Sequence, residues 1–155
     1  MARKLGKWTH NMESIAKLNK DHNILKTREA KIYIFCCSSC FDPSELMCIC
    51  NGHDYEMKVI PVPCSGKIDI LYLTKAFESG ADGVVIVACK QGECRYLEGN
   101  LRAKKRVEAI DSLLDEIGLG KGRIAIIQMN SNGIEQVIRE VKDFSKKIQA
   151  LSQED

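Results

Sequence analysis

Eight cysteines occur in 155 residues, and five of them stand where thiols could act together. Cys37 and Cys40 form a C-x2-C pair around Ser38 and Ser39, Cys64 lies in Val62-Pro63-Cys64-Ser65-Gly66, and Cys89 and Cys94 bracket Lys90-Gln91-Gly92-Glu93. Four thiolates can hold an iron–sulfur cluster or a tetrahedral zinc ion, and a C-x2-C pair alone can cycle between dithiol and disulfide. An iron–sulfur site is the first reading, because one close pair and two further thiol stations supply four ligands from loops able to wrap a cluster. Zinc is the second, since zinc adaptors usually carry two short knuckles and only one clear knuckle is present here. A redox pair is the third; it leaves Cys64, Cys89 and Cys94 without a role. Ser65, Gly66 and Gly92 allow close backbone approach beside these thiols, with N–H groups available to cluster sulfurs.

The remaining candidates have plainer readings. Cys36 ends an apolar run and reads as a small core residue. Cys48 and Cys50 fall in an irregular stretch and read as incidental thiols, with a spare-ligand role as the alternative. His10, His22 and His53 are scattered and read as surface residues. Asp69 and Asp82 read as caps at element starts, and Arg102-Ala103-Lys104-Lys105-Arg106 as a solvated helix face. The sequence holds no G-x-S-x-G elbow, no H-E-x-x-H helix and no Gly-rich loop after the first apolar run, so no catalytic residue is assigned and the chain is read as non-catalytic by itself.

Elements able to position the five thiols follow from the apolar pattern. Ile32–Cys36, Met57–Val62, Gly83–Ala88 and Ile124–Met129 are short, β-branched-rich runs with continuous rather than alternating hydrophobicity, which predicts strands buried on both faces of a parallel sheet. Helical stripes lie between and after them. Ile68, Leu71, Tyr72 and Phe77 form one, closed by Gly80; Val107, Ile110, Leu113, Leu114 and Ile117 form a second, closed by Gly118. The last runs from Ile134 to Leu151, with Asn132 and Glu135 as a capping-box start. Ser38–Glu56 reads as a long loop with one helical turn. The expected architecture is α/β, a single open, mainly parallel four-stranded sheet flanked by helices in flavodoxin-like alternation. In such a sheet the strand C-termini share one edge, so thiols following three strands converge there.

Whole-chain properties bound the function. An apolar fraction of 45% and a charged fraction of 28% are those of a soluble domain. No run of about 18 apolar residues exists to span a bilayer, and no apolar stretch follows the N-terminal residues as in a secretory signal, so the expected compartment is cytoplasmic. A reducing compartment favours metal or redox roles for cysteine over a disulfide framework. Residues 1–31 carry eight Lys/Arg against three Asp/Glu, and the remainder fifteen against eighteen. The division is therefore a basic helical extension or docking arm over 1–30, with Trp8, Met12, Ile15, Leu18 and Leu25 as its stripe, and an α/β domain over 31–155. No nucleic-acid motif accompanies the basic arm.

Three stretches carry a family resemblance: Val62-Pro63-Cys64-Ser65-Gly66-Lys67-Ile68-Asp69, Lys75-Ala76-Phe77-Glu78-Ser79-Gly80-Ala81-Asp82-Gly83-Val84, and Ala88-Cys89-Lys90-Gln91-Gly92-Glu93-Cys94-Arg95-Tyr96-Leu97-Glu98-Gly99-Asn100. From about Ile32 to the final helix the chain resembles the delta (iron–sulfur) subunit family of methyl-viologen-reducing hydrogenase. The resemblance implies a two-iron two-sulfur (2Fe-2S) cluster associated with Cys37, Cys40, Cys64, Cys89 and Cys94, one more thiol than four ligands require. It also implies an electron relay between a hydrogenase or another dehydrogenase and a flavin-bearing, heterodisulfide-reductase-A-like protein, within an electron-bifurcating complex. Ser38-Ser39 replace the family's usual polar–aromatic pair, and Phe41–Tyr55 fits its pattern poorly. An equivalent relay for a methylenetetrahydrofolate or aromatic-CoA reductase is the alternative partner reading, and a zinc-binding structural adaptor the alternative function.

Overall fold

Strand β1 (Ala30–Cys37) is the axis of the molecule, and its alternation sets the two faces of the sheet. The structure, a computed structural model, describes residues 29–49 and 55–152. Strands β1, β2 (Tyr55–Val62), β3 (Gly83–Ala88) and β4 (Ile124–Gln128) form one sheet in the order β2-β1-β3-β4. Every pairing is parallel, with Ile34 opposite Val59 on one side and Val85 on the other. Tyr33, Phe35, Val84 and Ile86 point to one face, where α2 (Ile70–Glu78) and α3 (Gly99–Glu116) pack through Leu73, Ala76, Ala103, Val107 and Ile110. Ile32, Ile34, Cys36, Val85 and Val87 point to the other, under α1 (Pro43–Ile49) and α4 (Gly133–Leu151), which contribute Leu46, Val137, Val141, Phe144 and Ile148. Full burial of each such aliphatic side chain stabilises by about 1.5–3 kcal/mol, and two-sided cover on β1 and β3 is what their unbroken apolar runs require. The expected open parallel α/β sheet is the fold observed.

Several local expectations change. β2 is an edge strand and only partly buried; Pro61, which has no N–H to give a ladder, is tolerated there. The stretch 38–56 is not one loop: it holds the two-turn helix α1, opened by Asp42, whose Oδ1 accepts a bond from Ser44 N at 2.9 Å. Leu46 is the residue α1 buries deeply, too little for a readable stripe. Leu71 and Tyr72 are exposed, because α2 begins at Ile70 and its first turn stands clear of the sheet. Leu113 and Ile117 are exposed as well; α3 instead buries Asn100, Ala103, Val107, Ile110 and Leu114.

The glycine ends and one aspartate cap hold. Gly80 and Gly118 take φ of 88° and 85° after α2 and α3, and Asp69 Oδ1 accepts from Ile70 N at 2.6 Å. Asp82 Oδ2 accepts from Lys31 N at 2.8 Å and so ties the start of β1 to that of β3. The capping box at α4 does not form, since Asn132 makes no side-chain cap bond. Gln136 takes over the junction, accepting from Asn130 N at 2.8 Å and donating to Gln128 O at 3.2 Å.

Parallel strands with helical returns give the fold two unlike edges. All four strand C-termini, and hence the loops after them, lie at one edge. The backbone enters β1 at Ala30 and leaves α4 at Leu151 on the opposite edge, where Phe144 and Ile148 close over Gly83. The expected arm over 1–30 and the three histidines fall almost wholly outside the described residues, as do the side chains of Cys48 and Cys50.

Candidate metal centre

Strand order reverses at β1: the chain passes from β1 to β2 on one side and later returns to β3 on the other. The C-terminal ends of β1 and β3 therefore border the crevice in which open α/β sheets place their ligands. Cys37 is the last residue of β1 and Cys89 the first after β3. Their sulfurs lie 3.7 Å apart. Cys36, one residue earlier, alternates to the opposite face and is sealed in the core beneath α1 and α4; burial, with the neighbouring Cys37 charge, pushes its thiol up to about 12.

The other three thiols arrive on short, well-bonded loops. Cys40 N donates to Cys37 O at 3.0 Å, a tight turn that brings the Cys40 sulfur to 3.3 Å from that of Cys89. The Cys37, Cys40 and Cys89 sulfurs all lie within 4.8 Å of one another. Cys64 caps a 3-10 turn over Ser65–Lys67 and faces Cys94, the two thiols standing in hydrogen-bond reach. Together Cys37, Cys64, Cys89 and Cys94 form one buried group with Cys40 packed against it. All five thiols singled out in the sequence are thus brought to one place.

Close approach depends on two glycines that the spacing did not single out together. A Cβ on Gly99 would stand 2.5 Å from the Cys64 sulfur and 3.2 Å from that of Cys94, and one on Gly66 would stand 2.6 Å from Gly99 Cα. Gly66 was expected to give such room; Gly99, at the start of α3, was not. Gly92 serves differently, supplying a φ of 85° for the turn between Cys89 and Cys94.

Polar neighbours fix the loops and set the charge on the sulfurs. Asn100, fully enclosed, donates from Nδ2 to Cys89 O at 3.1 Å and Lys90 O at 3.0 Å. Arg106 Nη1 donates to Gly66 O at 2.8 Å and Ile68 O at 2.7 Å, pinning the Cys64 turn to α3. That corrects the reading of residues 102–106 as wholly solvated: Arg106 turns inward while Arg102, Lys104 and Lys105 are exposed. Asn100 closes the third stretch that carries the family resemblance, though no role was read for it there; Arg106 belongs to no motif, and its position on α3, facing the strand ends, was the available signal.

Backbone N–H groups of Ser39 and Ser65 point at the Cys37 sulfur, that of Gly66 at Cys64 (3.4 Å), and those of Tyr96, Gly99 and Asn100 at Cys94. The neighbouring Cys40 thiol is the largest influence holding Cys37 well below the ordinary thiol range, with burial opposing and the Ser39 and Ser65 amides assisting; the Cys40 S–H itself donates to the Cys89 sulfur at 3.3 Å. Cys40 is pushed up by its pairing with Cys37 and by burial. Burial raises Cys64, and raises Cys89 to about 11. At Cys94 burial pushes upward, but the three amides outweigh it and the net shift is downward.

This donor set fits a thiolate-bound, anionic metal group. Five soft thiols are gathered from the loops after three strands, amide dipoles face the sulfurs, and Ser65 Oγ is buried beside Cys64 with no hydrogen-bond partner among protein atoms. An enclosed hydroxyl of that kind costs stability unless it finds an acceptor, and a ligand or cluster sulfur supplies one.

Comparison with known proteins places these observations. Residues 32–152 match the family model described as "Methyl-viologen-reducing hydrogenase, delta subunit". The iron-sulfur subunit of the F420-non-reducing hydrogenase vhu of Methanocaldococcus jannaschii is 38% identical over 95 residues, 61% of this chain and 71% of that protein. Its counterpart in the vhc hydrogenase of Methanococcus voltae is 34% identical over 125 residues, 79% of this chain and 87% of that protein. The A component of the ferredoxin:CoB-CoM heterodisulfide reductase of Methanosarcina mazei is 30% identical over 96 residues, 62% of this chain but 12% of that much longer protein. By the extent of the family match and of the relatives covered, the chain belongs to the delta subunit family of methyl-viologen-reducing hydrogenase.

Proposed function

We propose that this chain is an electron-transfer subunit carrying one 2Fe-2S cluster on four of the thiols Cys37, Cys40, Cys64, Cys89 and Cys94. It relays electrons between a hydrogenase or other dehydrogenase module and a heterodisulfide-reductase-A-like flavoprotein, within a cytoplasmic electron-bifurcating complex. The observation that carries this reading is the buried five-thiol group at the β1/β3 crevice, ringed by amide donors. Support for the partners comes from relatives named as hydrogenase iron-sulfur subunits, and from one in which the matching segment is part of a heterodisulfide reductase A chain. No helix among the described residues is long and apolar enough to cross a membrane.

When bound, the cluster would supply a site that takes up and gives back single electrons. The chain's own residues do the rest. Cys37, lowered to about 5, presents thiolate character in advance, and Cys94 is shifted in the same direction. The amides of Ser65, Gly66, Gly99 and Asn100 face the sulfurs and favour their negative charge, and Asn100 and Arg106 keep the two outer loops in place. In this reading residues 31–155 are the iron–sulfur domain and residues 1–30 a basic arm that docks on a neighbouring protein of the complex.

Anaerobic purification followed by elemental analysis tests it. The expected result is about two iron and two acid-labile sulfide per chain, with a reversible visible bleach on reduction. Stoichiometric zinc without labile sulfide, or a colourless product after anaerobic reconstitution, would sink the proposal.

A further inference from the structure

The loop that carries Cys94 does two things at once. It folds the amides of Tyr96, Gly99 and Asn100 onto the sulfur, and Leu97 N donates to Cys94 O at 2.9 Å. In doing so it leaves Tyr96 and Leu97 exposed, and Leu101, on the first turn of α3 a few residues later, is exposed as well. Leu97 is 85% exposed and has a φ of 64°, the one non-glycine residue with positive φ among those described. The turn needs that backbone geometry, but nothing in the turn needs leucine. Glycine adopts it without a Cβ clash, and asparagine tolerates it far better than a bulky apolar side chain does. A solvent-facing leucine in a left-handed conformation is unfavourable to the isolated fold on both counts, so its use lies in being covered.

Charge around the lip says by what. Lys90, Arg95, Arg102, Lys104 and Lys105 are exposed nearby in the chain. Glu93 and Glu98 pair with two of these, Lys90 at 3.0 Å and Arg102 at 3.9 Å, which leaves Arg95, Lys104 and Lys105 as the charge in excess. The margin is therefore basic, and an apolar centre with a charged margin is the usual anatomy of a specific protein interface.

We infer that Tyr96, Leu97 and Leu101 form the docking lip for the electron-exchanging partner protein, whose matching face has an apolar centre and an acidic margin. This rests on the electron-transfer reading above. The backbone that grips Cys94 is the backbone that displays the lip, so docking there brings the partner against the loop that carries one of the clustered thiols. The heterodisulfide reductase relatives agree with a module that works pressed against such a partner, since there the matching segment shares one polypeptide with it.

The purified heterodisulfide-reductase-A-like protein is the probe, titrated anaerobically against the full, reconstituted chain. Leu97→Gly and Leu97→Asn should each weaken binding about tenfold or more, with iron content unchanged and thermal stability unchanged or raised. Added salt should weaken the wild-type complex as well, by screening the basic margin. Ile117→Ser, at the opposite end of α3, is the control and should leave affinity as it was. Equal binding by wild type and both Leu97 variants overturns the lip while leaving the electron-transfer reading intact. No binding by wild type overturns the partner assigned in that reading, and the lip's occupant with it. Self-association of the wild type that Leu97→Asn abolishes would assign the lip to a second copy of the chain instead.

Discussion

The clustered thiols differ in how readily they ionise, and that difference has a measurable consequence for metal loading. Cys37 is lowered to about 5, chiefly by the neighbouring Cys40 thiol, whereas Cys40, Cys64 and Cys89 are all raised, Cys89 to about 11. Any four ligands drawn from the five thiols include at least two of the three raised ones. Binding a metal must therefore release two or more protons at neutral pH, and apparent affinity rises with pH until the raised groups ionise. Cobalt(II) titrations of the apo protein should show affinity climbing about a hundredfold per pH unit or more below about 9, since two displaced protons give that slope. A flat profile across roughly pH 6–8, below the ordinary thiol value of about 8.5, would contradict the assignment of these thiols. Ser65 makes a second residue-scale prediction. Its orphaned hydroxyl should stabilise reduced, more negative sulfur, so Ser65→Ala should shift the midpoint to lower potential while leaving the apo fold as stable or slightly more so. An unchanged potential in Ser65→Ala would mean the hydroxyl faces elsewhere.

Elements explain why so much of the thiol site could be read in advance and why its supports could not. β1 and β3 announce themselves as unbroken apolar runs, and a parallel sheet obliges residues at their ends to meet, so Cys37 and Cys89 needed no motif. Cys64 and Cys94 were legible for the same reason. Arg106 was not: on paper it is one more cation in Arg102-Ala103-Lys104-Lys105-Arg106, and only the pitch of α3 decides that it alone turns toward Gly66 and Ile68. Gly99 was hidden too, because its role depends on how near α3 comes to the Cys64 turn, a tertiary distance with no local sequence sign. Leu71, Tyr72, Leu113 and Ile117 suited helical stripes by spacing yet face outward, since helix ends overhang the sheet and periodicity does not report where cover stops. Arg106→Met keeps the length of the side chain and removes both charge-assisted bonds. It should cost about 1.5–3 kcal/mol in urea unfolding and speed cluster loss to a chelator. Unaltered stability and unaltered loss rate would show that the Cys64 turn stands without it.

At the scale of the whole molecule the two edges of the sheet have separate duties. The hydrophobic layers on β1 and β3 do not include the five clustered thiols, which form a group of their own at one rim. Stripping the metal should therefore loosen the rim and spare the sheet. Hydrogen exchange of loaded and apo protein should differ over residues 38–40, 64–68 and 90–100, with β1 and β3 protected in both. Protection lost throughout would instead make the metal a condition of folding, as in small zinc domains.

Ala30 and Leu151 both lie at the edge away from the cysteines. A chain continuing before the one or after the other leaves from the edge opposite the clustered thiols. A fold with that layout can be spliced into a longer polypeptide, or expressed as a separate chain, without rebuilding its working surface. The same 96-residue pattern within a long heterodisulfide reductase chain and within the short iron-sulfur subunits of hydrogenases is what such an interchangeable cassette would leave behind.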